Sequence, residues 1–261
     1  MKVFIETDLE GVSGIVSTED QCLPGGRYYE EAKRLLTAEV NAAVEGLLEA
    51  GAQEIVVGDG HGPGGLYFPD LHPEAKAIIG RPTPMDCGLD PSYDALVLIG
   101  CHAMAGTFRG VLDHTQSSKT IVNYWLNGQR IGEIGTSAAL AGRFGVPAIL
   151  VTGDDAATKE AQDLLGDVEV VAVKKGLSRT AALCLSPPKA RQLIREAAAR
   201  ALRRLGDFKP FVISPPYELK IEFLNSTRAL RESMRSEKVE RIDARTIVCR
   251  GDNLLKVLYL C

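Results

Sequence analysis

The sequence predicts an α/β protein, a largely parallel sheet with helices on both faces plus a smaller α+β C-terminal part. Three observations carry this. Short runs that are apolar at every position, such as Ala95-Leu96-Val97-Leu98-Ile99, alternate with longer stretches whose apolar residues recur at helical spacing. Strands apolar throughout are buried on both faces, as strands of parallel sheets are. After Gly206 the alternation gives way to shorter segments interrupted by Pro210, Pro215 and Pro216. The chain is therefore divided into a core over residues 1–206 and a small C-terminal part over residues 207–261.

The elements follow in order. Val3 to Thr7 reads as a first strand. Tyr28 to Ala50 carries apolar residues at helical spacing, and Gly51 stops it. Glu54 to Gly58 is a second strand, closed by the glycine-rich stretch Gly58 to Gly65. Asp94 to Gly100 is a fully buried type of strand. Thr120 to Ile131 has the pattern of a β-hairpin, with Asn127-Gly128 at its turn. A helix is expected from Glu133 to Phe144-Gly145, a buried strand from Ala148 to Thr152, and a helix from Ala156 to Leu165 with Asp155 as its N-cap. Val168 to Val173 is a further strand. A long helix follows Pro187 and Pro188 and runs to about Leu205.

Composition narrows the function classes. The 261 residues are 45% hydrophobic and 25% charged, which excludes a disordered chain. The net charge is -4 and Lys and Arg form no stripe, so a nucleic-acid partner is not expected. No apolar run reaches ~18 residues, so no membrane span is expected. The start, Met1-Lys2-Val3-Phe4-Ile5, turns acidic at Glu6 and lacks the long apolar stretch of a signal peptide. The six cysteines are scattered without a Cys-x-x-Cys, and read as free thiols of a cytoplasmic protein.

Metal-capable side chains fall where such a sheet binds ligands, just past the carboxyl ends of strands. Asp8 and Glu10 follow the first strand, Asp59 and His61 the second, and His102 the strand ending at Ile99-Gly100. Residues two apart in extended backbone project to one side, so Asp8 and Glu10 can face one point, and Asp59 and His61 share that spacing. Glu133, between glycines in Ile131-Gly132-Glu133-Ile134-Gly135, adds a carboxylate at a helix start. Asp8, Glu10, His61, His102 and Glu133 exceed the three protein ligands of a single catalytic zinc and suit a pair of ions, with Asp8 as the bridge. Such nitrogen and oxygen ligation fits Zn, Co or Mn. His114, in Asp113-His114-Thr115, is a proton carrier or direct attacker in hydrolysis.

Each of these residues has a plain structural reading on its own. Asp8 and Glu10 can close a turn, His61 can sit exposed in a loop, His102 can be a core histidine, and Glu133 can favour a helix N-terminus. Together they outweigh it, since three of the four histidines fall in glycine-bearing loops near acidic residues. His72, before Pro73, is a turn residue. Gly58 to Gly65 matches neither the P-loop nor the dinucleotide fingerprint, and no Gly-x-Ser-x-Gly elbow occurs.

The same residues carry a family resemblance. Asp8-Leu9-Glu10-Gly11-Val12-Ser13-Gly14 resembles the opening motif of the M55 metallopeptidases, the D-aminopeptidase family. Gly58-Asp59-Gly60-His61, Gly100-Cys101-His102-Ala103, Asp113-His114-Thr115 and Gly132-Glu133-Ile134-Gly135 are similar to its later motifs. The resemblance extends through Cys184-Leu185-Ser186-Pro187 and thins after about Asp207. It implies a binuclear zinc site, two Zn2+ per subunit, on Asp8, Glu10, His61, His102 and Glu133, with His114 catalytic. It implies an aminopeptidase for short peptides with an N-terminal D-residue, assembled as a ring-like homo-oligomer such as a decamer. Two alternatives stand beside it. A metal-dependent phosphoesterase would also pair metals with carboxylates, although no Arg or Lys cluster adjoins the motifs. A non-catalytic metal-binding α/β module would not need five such residues at strand ends.

Overall fold

The computed structural model describes residues 1–80, 82 and 88–260. In chain order its first elements are β1 (Lys2–Thr7), α1 (Tyr29–Glu49), β2 (Glu54–Asp59), β3 (Ala75–Ile78), β4 (Ala95–Cys101), β5 (Ile121–Leu126), β6 (Gln129–Arg130) and α2 (Glu133–Gly142). There follow β7 (Ala148–Asp154), α3 (Asp155–Leu165), β8 (Glu169–Ser178), β9 (Ala181–Cys184) and α4 (Pro187–Arg203). The last are β10 (Tyr217–Phe223), α5 (Ser226–Ser233), β11 (Val239–Arg241), β12 (Thr246–Gly251) and α6 (Leu254–Leu260).

The larger sheet has the order β3-β2-β1-β4-β7-β8-β9. Every neighbouring pair is parallel except β8 with β9. Alternation along the strands sends side chains to two apolar layers. Val3, Ile5, Val97 and Ile99 pack with Leu36, Val40 and Leu47 of α1 and with Ile194, Ala198 and Leu202 of α4. Phe4, Val56, Leu96 and Leu98 pack with Ile134 and Ala138 of α2 and Ala157 and Ala161 of α3. Each fully buried Val, Leu, Ile or Phe contributes ~1.5–3 kcal/mol of transfer free energy. These layers therefore fix the sheet that presents the site.

The second sheet is antiparallel, with the order β11-β12-β10-β5-β6. Its core joins Tyr124, Leu126, Leu219, Ile221, Phe223 and Ile247 to Ala139 and Leu140 of α2. α2 thus lies between the two sheets, and Ile134 through Gly142 are all buried. A helix apolar all round is one buried all round.

The hairpin forms where expected, with Asn127 and Gly128 at φ 50° and 78°, the doubly left-handed pair of a type I′ turn. It pairs with β10, however, so the smaller sheet draws on both sides of residue 206. Asp155 is not the N-cap of α3. Asp154 takes that role, accepting from Ala157 N at 2.8 Å, while Asp155 Oδ1 accepts from Gly176 N at 2.8 Å. The strand expected over Val168 to Val173 is longer, and β3 and β9 were not expected. Cys22, Cys101 and Cys184 are free, but Cys249 is disulfide-bonded, which corrects the reading of six thiols. Cys87 and Cys261 lie outside the described residues.

Candidate metal centre

β2, β1 and β4 are adjacent and parallel, so their carboxyl ends open on one edge. Asp8 and Glu10 follow β1, His61 follows β2, and His102 follows the last residue of β4. Glu133 opens α2, and His114 comes from the loop between β4 and β5. The loop after β1 lies against the end of β4. Asp8 N donates to Ile99 O at 2.8 Å and Gly11 N donates to Gly100 O at 2.7 Å. That approach requires glycine. A Cβ on Gly100, whose φ is +78°, would stand 2.0 Å from Asp8 O, and one on Gly11 would stand 1.9 Å from Cys101 O.

All six site residues named from the sequence come together, in two adjoining groups. In the first, His61 Nδ1 lies 3.2 Å from Asp8 Oδ1 and 3.1 Å from Glu10 Oε2. In the second, Glu133 Oε1 lies 3.5 Å from His102 Nε2 and 3.7 Å from His114 Nε2. Each group offers three ligand atoms within 4.8 Å of one another. Asp8 spans them, since its Oδ2 lies 3.1 Å from His102 Nε2. The rings of His102 and His114 stack with centroids 3.8 Å apart. The first group is deep, the Glu10 and His61 side chains each being 6% exposed; Glu133, at 32%, opens the second to solvent.

Each of the three site histidines sets one ring nitrogen against a backbone carbonyl. His61 Nε2 faces Cys22 O at 2.7 Å, His102 Nδ1 faces Ala103 O at 3.0 Å, and His114 Nδ1 faces Leu112 O at 2.9 Å. A carbonyl only accepts, so these nitrogens carry protons and donate. The opposite nitrogens face the carboxylates, which is how proteins orient imidazoles toward a metal. Glu10 Oε2 and His102 Nε2 are buried without a hydrogen-bond partner, although each lies 3.1 Å from a group of opposite character. Atoms that close yet unaligned for a bond suit a shared ion. The nitrogen and oxygen donors present fit divalent cations of the zinc kind.

Charge agrees with that fit. Burial opposes the Asp8 carboxylate, but His102 and His61 hold it well below the usual range. Burial likewise opposes Glu133, and His102 lowers it. The His61 imidazolium, disfavoured by burial, is pushed up to about 11 by Asp8 and Glu10. His102 is raised well above its ordinary value against burial, by Glu133 and Asp8.

Asp59 departs from the expectation drawn from its spacing. Its carboxylate accepts from Gly65 N at 2.9 Å and Leu66 N at 3.2 Å, shaping the loop that carries His61. Other supporting residues were not singled out from the sequence. Glu160 Oε2 accepts from Met104 N at 2.7 Å, just past His102. Asp113 accepts from Gly106 N at 2.6 Å and pairs with Arg179 at 3.1 Å, on either side of the His114 loop. Among the described residues, left-handed non-glycine backbone occurs at Arg109, Leu112, Gln116 and Asn127, and the first three bracket His114. Strain of this kind gathers at functional loops. No glycine marks these positions, so the sequence held no signal of them. A small cavity of ≈ 30 Å³ is lined by Asp8, His102 and Glu133, and a larger one of ≈ 590 Å³ is edged by Met104, Phe108, Arg130 and Glu160.

A histidine–carboxylate cluster at the carboxyl edge of parallel strands defines a metallohydrolase of the α/β class. The chain belongs to the peptidase M55 family of D-aminopeptidases, whose model matches residues 1–261. It is 37% identical over 235 residues to a D-aminopeptidase of Bacillus subtilis (strain 168), covering 88% of this chain and 84% of that one. It is similar, at a TM-score of 0.95 and 32% identity, to the solved Zn-dependent D-aminopeptidase DppA from Bacillus subtilis, a self-compartmentalizing protease. That likeness covers 100% of this chain and 95% of the other. The family expected from the motifs and the α/β architecture are both borne out, and the chain is an enzyme of the hydrolase class. No helix among the described residues is long and apolar enough to cross a membrane.

Proposed function

We propose that this enzyme is a zinc aminopeptidase that holds two ions per subunit and removes a D-residue from the amino end of short peptides. The observation that carries the reading is Asp8, which turns one carboxylate oxygen toward each of two three-ligand groups. Glu10 and His61 complete the first ion's protein ligands, and His102 and Glu133 the second's. The zinc dependence of the DppA relative supports the choice of metal, and the D-aminopeptidase family supports the class of substrate.

Two divalent ions bound there supply polarisation of a peptide carbonyl and a water acidified to a pKa of ~7. His114 serves the proton step. Its Nδ1 donates to Leu112 O, so Nε2 holds the lone pair that takes a proton or attacks the carbonyl. The free amine of the substrate is read by Glu10 or Glu133. Asp59 drops out of that role because its oxygens are taken by backbone amides. The ≈ 590 Å³ cavity edged by Met104, two residues past His102, has the size that a short peptide needs. The self-compartmentalizing relative supports oligomeric assembly, for which we propose a ring-like homo-oligomer, such as a decamer, working in the cytoplasm. Residues 1–206 form the site-bearing part, and residues 207–261 complete the smaller sheet around the hairpin.

The test is a matched set of dipeptides beginning with D-Ala, L-Ala or N-acetyl-D-Ala, assayed with zinc. The free D-Ala peptide is expected to be cleaved fastest, and acetylation to lower kcat/KM at least ~10-fold, worth ~1.4 kcal/mol of transition-state binding. Equal rates for free and acetylated peptides would make the enzyme a general amidase. Turnover of phosphate esters alone would favour the phosphoesterase.

A further inference from the structure

The loop that carries Asp8 and Glu10 is organised around a buried cation. Lys174, on β8, is 2% exposed. Its Nζ donates to three backbone carbonyls of one short segment: Glu10 O at 2.5 Å, Val12 O at 2.9 Å and Ile15 O at 2.7 Å. An ammonium has three protons, so its hydrogen-bonding capacity is fully used by this segment. Ser13 N donates to Glu39 Oε1 and Ser13 Oγ to Leu185 O, which ties the segment at other points. Val12 O also accepts from Ile15 N at 3.2 Å, so the bonds to Glu10 O and Ile15 O are the ones that depend most on Lys174.

Lys174 reaches the loop through an irregularity in the sheet. Pairing with β7 passes from Gly153 opposite Ala172 to Asp154 opposite Lys174, so Val173 is an extra residue. A bulge re-aims the side chains that follow it, and bulges recur beside active sites. Val173 and Lys174 are both buried, and Val173 packs in the layer that also holds Val12 and Ile15. The bulge brings Lys174 to the loop in that layer.

We propose that Lys174 is a positioning residue for the first metal group, holding the main chain of Glu10 to Ile15 so that the Glu10 carboxylate converges with His61. This rests on the two-ion reading above. A side chain without a donor at 174 leaves Glu10 O and Ile15 O without the Lys174 bond and Val12 O with Ile15 N alone, and the loop must move to hydrate them. His102, His114 and Glu133 stand on other elements, and the shared Asp8 is held by its own N–H on Ile99 O, upstream of the segment that Lys174 binds, so the second group does not share the support.

The test is stepwise titration of the metal-free full chain with Co2+, followed by visible absorption and by competition with a chromophoric chelator. Lys174→Met is compared with wild type and with Ile194→Ala, which opens a cavity on α4 in the same apolar layer away from the loop. Lys174→Gln keeps a neutral donor and serves if the methionine variant does not fold. Expected is a loss of ~10–100-fold in affinity for one ion, the range for removing a supporting partner of a metal ligand. The other ion is held within ~3-fold of wild type, the glutamine variant shows a smaller loss, and Ile194→Ala shows none. Wild type with two ions and Lys174 variants that keep both affinities overturn the proposal alone, as does an equal weakening of both sites. Wild type that takes up one ion at most overturns the two-ion reading, and the proposal with it.

Discussion

His114 differs from the other site histidines in what faces its second nitrogen. His61 and His102 each lie within 3.2 Å of Asp8, the carboxylate that spans the groups, whereas His114 approaches only Glu133, at 3.7 Å. Replacing it by alanine is therefore expected to leave the metal content unchanged while kcat falls ~10²–10⁴-fold. Elemental analysis alongside steady-state rates checks this, and metal loss would make His114 a ligand. A second expectation concerns protons. In the metal-free protein the His61 imidazolium titrates at about 11, so it is charged at pH 7. A metal takes the lone pair that this proton occupies, so uptake releases at least one proton and affinity falls as pH falls. Calorimetric titration at pH 7 in two buffers of different ionisation enthalpy measures the release; none would contradict it. The ligand residues were legible in the sequence because they follow buried strands at short spacing. Asp59 misled because its carboxylate turns to the amides of Gly65 and Leu66, a bond that spacing along the chain does not reveal.

At the scale of elements, the site depends on how closely the loop after β1 lies on β4. Gly100→Ala puts a Cβ 2.0 Å from Asp8 O and forces alanine into left-handed backbone. The expected cost exceeds ~1 kcal/mol from the backbone alone, with weaker metal binding as the Asp8 loop shifts. Urea unfolding of the metal-free protein reads the first effect and chelator competition the second. An unchanged midpoint and affinity would show that the contact does not position Asp8. α1 was legible because only one of its faces is apolar, and β4 because it is buried on both faces. The hairpin was legible from Asn127-Gly128, but its sheet was not. Its partner β10 is set by contacts such as Tyr124 opposite Ile221, distant in sequence and invisible to local pattern. The cap of α3 shifted by one residue because Asp155 binds Gly176 instead.

The whole molecule joins a parallel and an antiparallel sheet through α2, whose first residue is Glu133. Apolar layers on both sides of that helix hold the second group's carboxylate, while neighbouring strands of the larger sheet deliver the first group. The proposal that two adjoining groups with a shared aspartate hold two ions is the claim on which the chemistry rests. The most direct measurement is elemental analysis of the purified chain after saturation with zinc and removal of loosely held metal. The account predicts about two ions per chain, falling toward none in Asp8→Ala because both groups lose a ligand. At most one ion per wild-type chain, or an Asp8→Ala variant that keeps two, would contradict it.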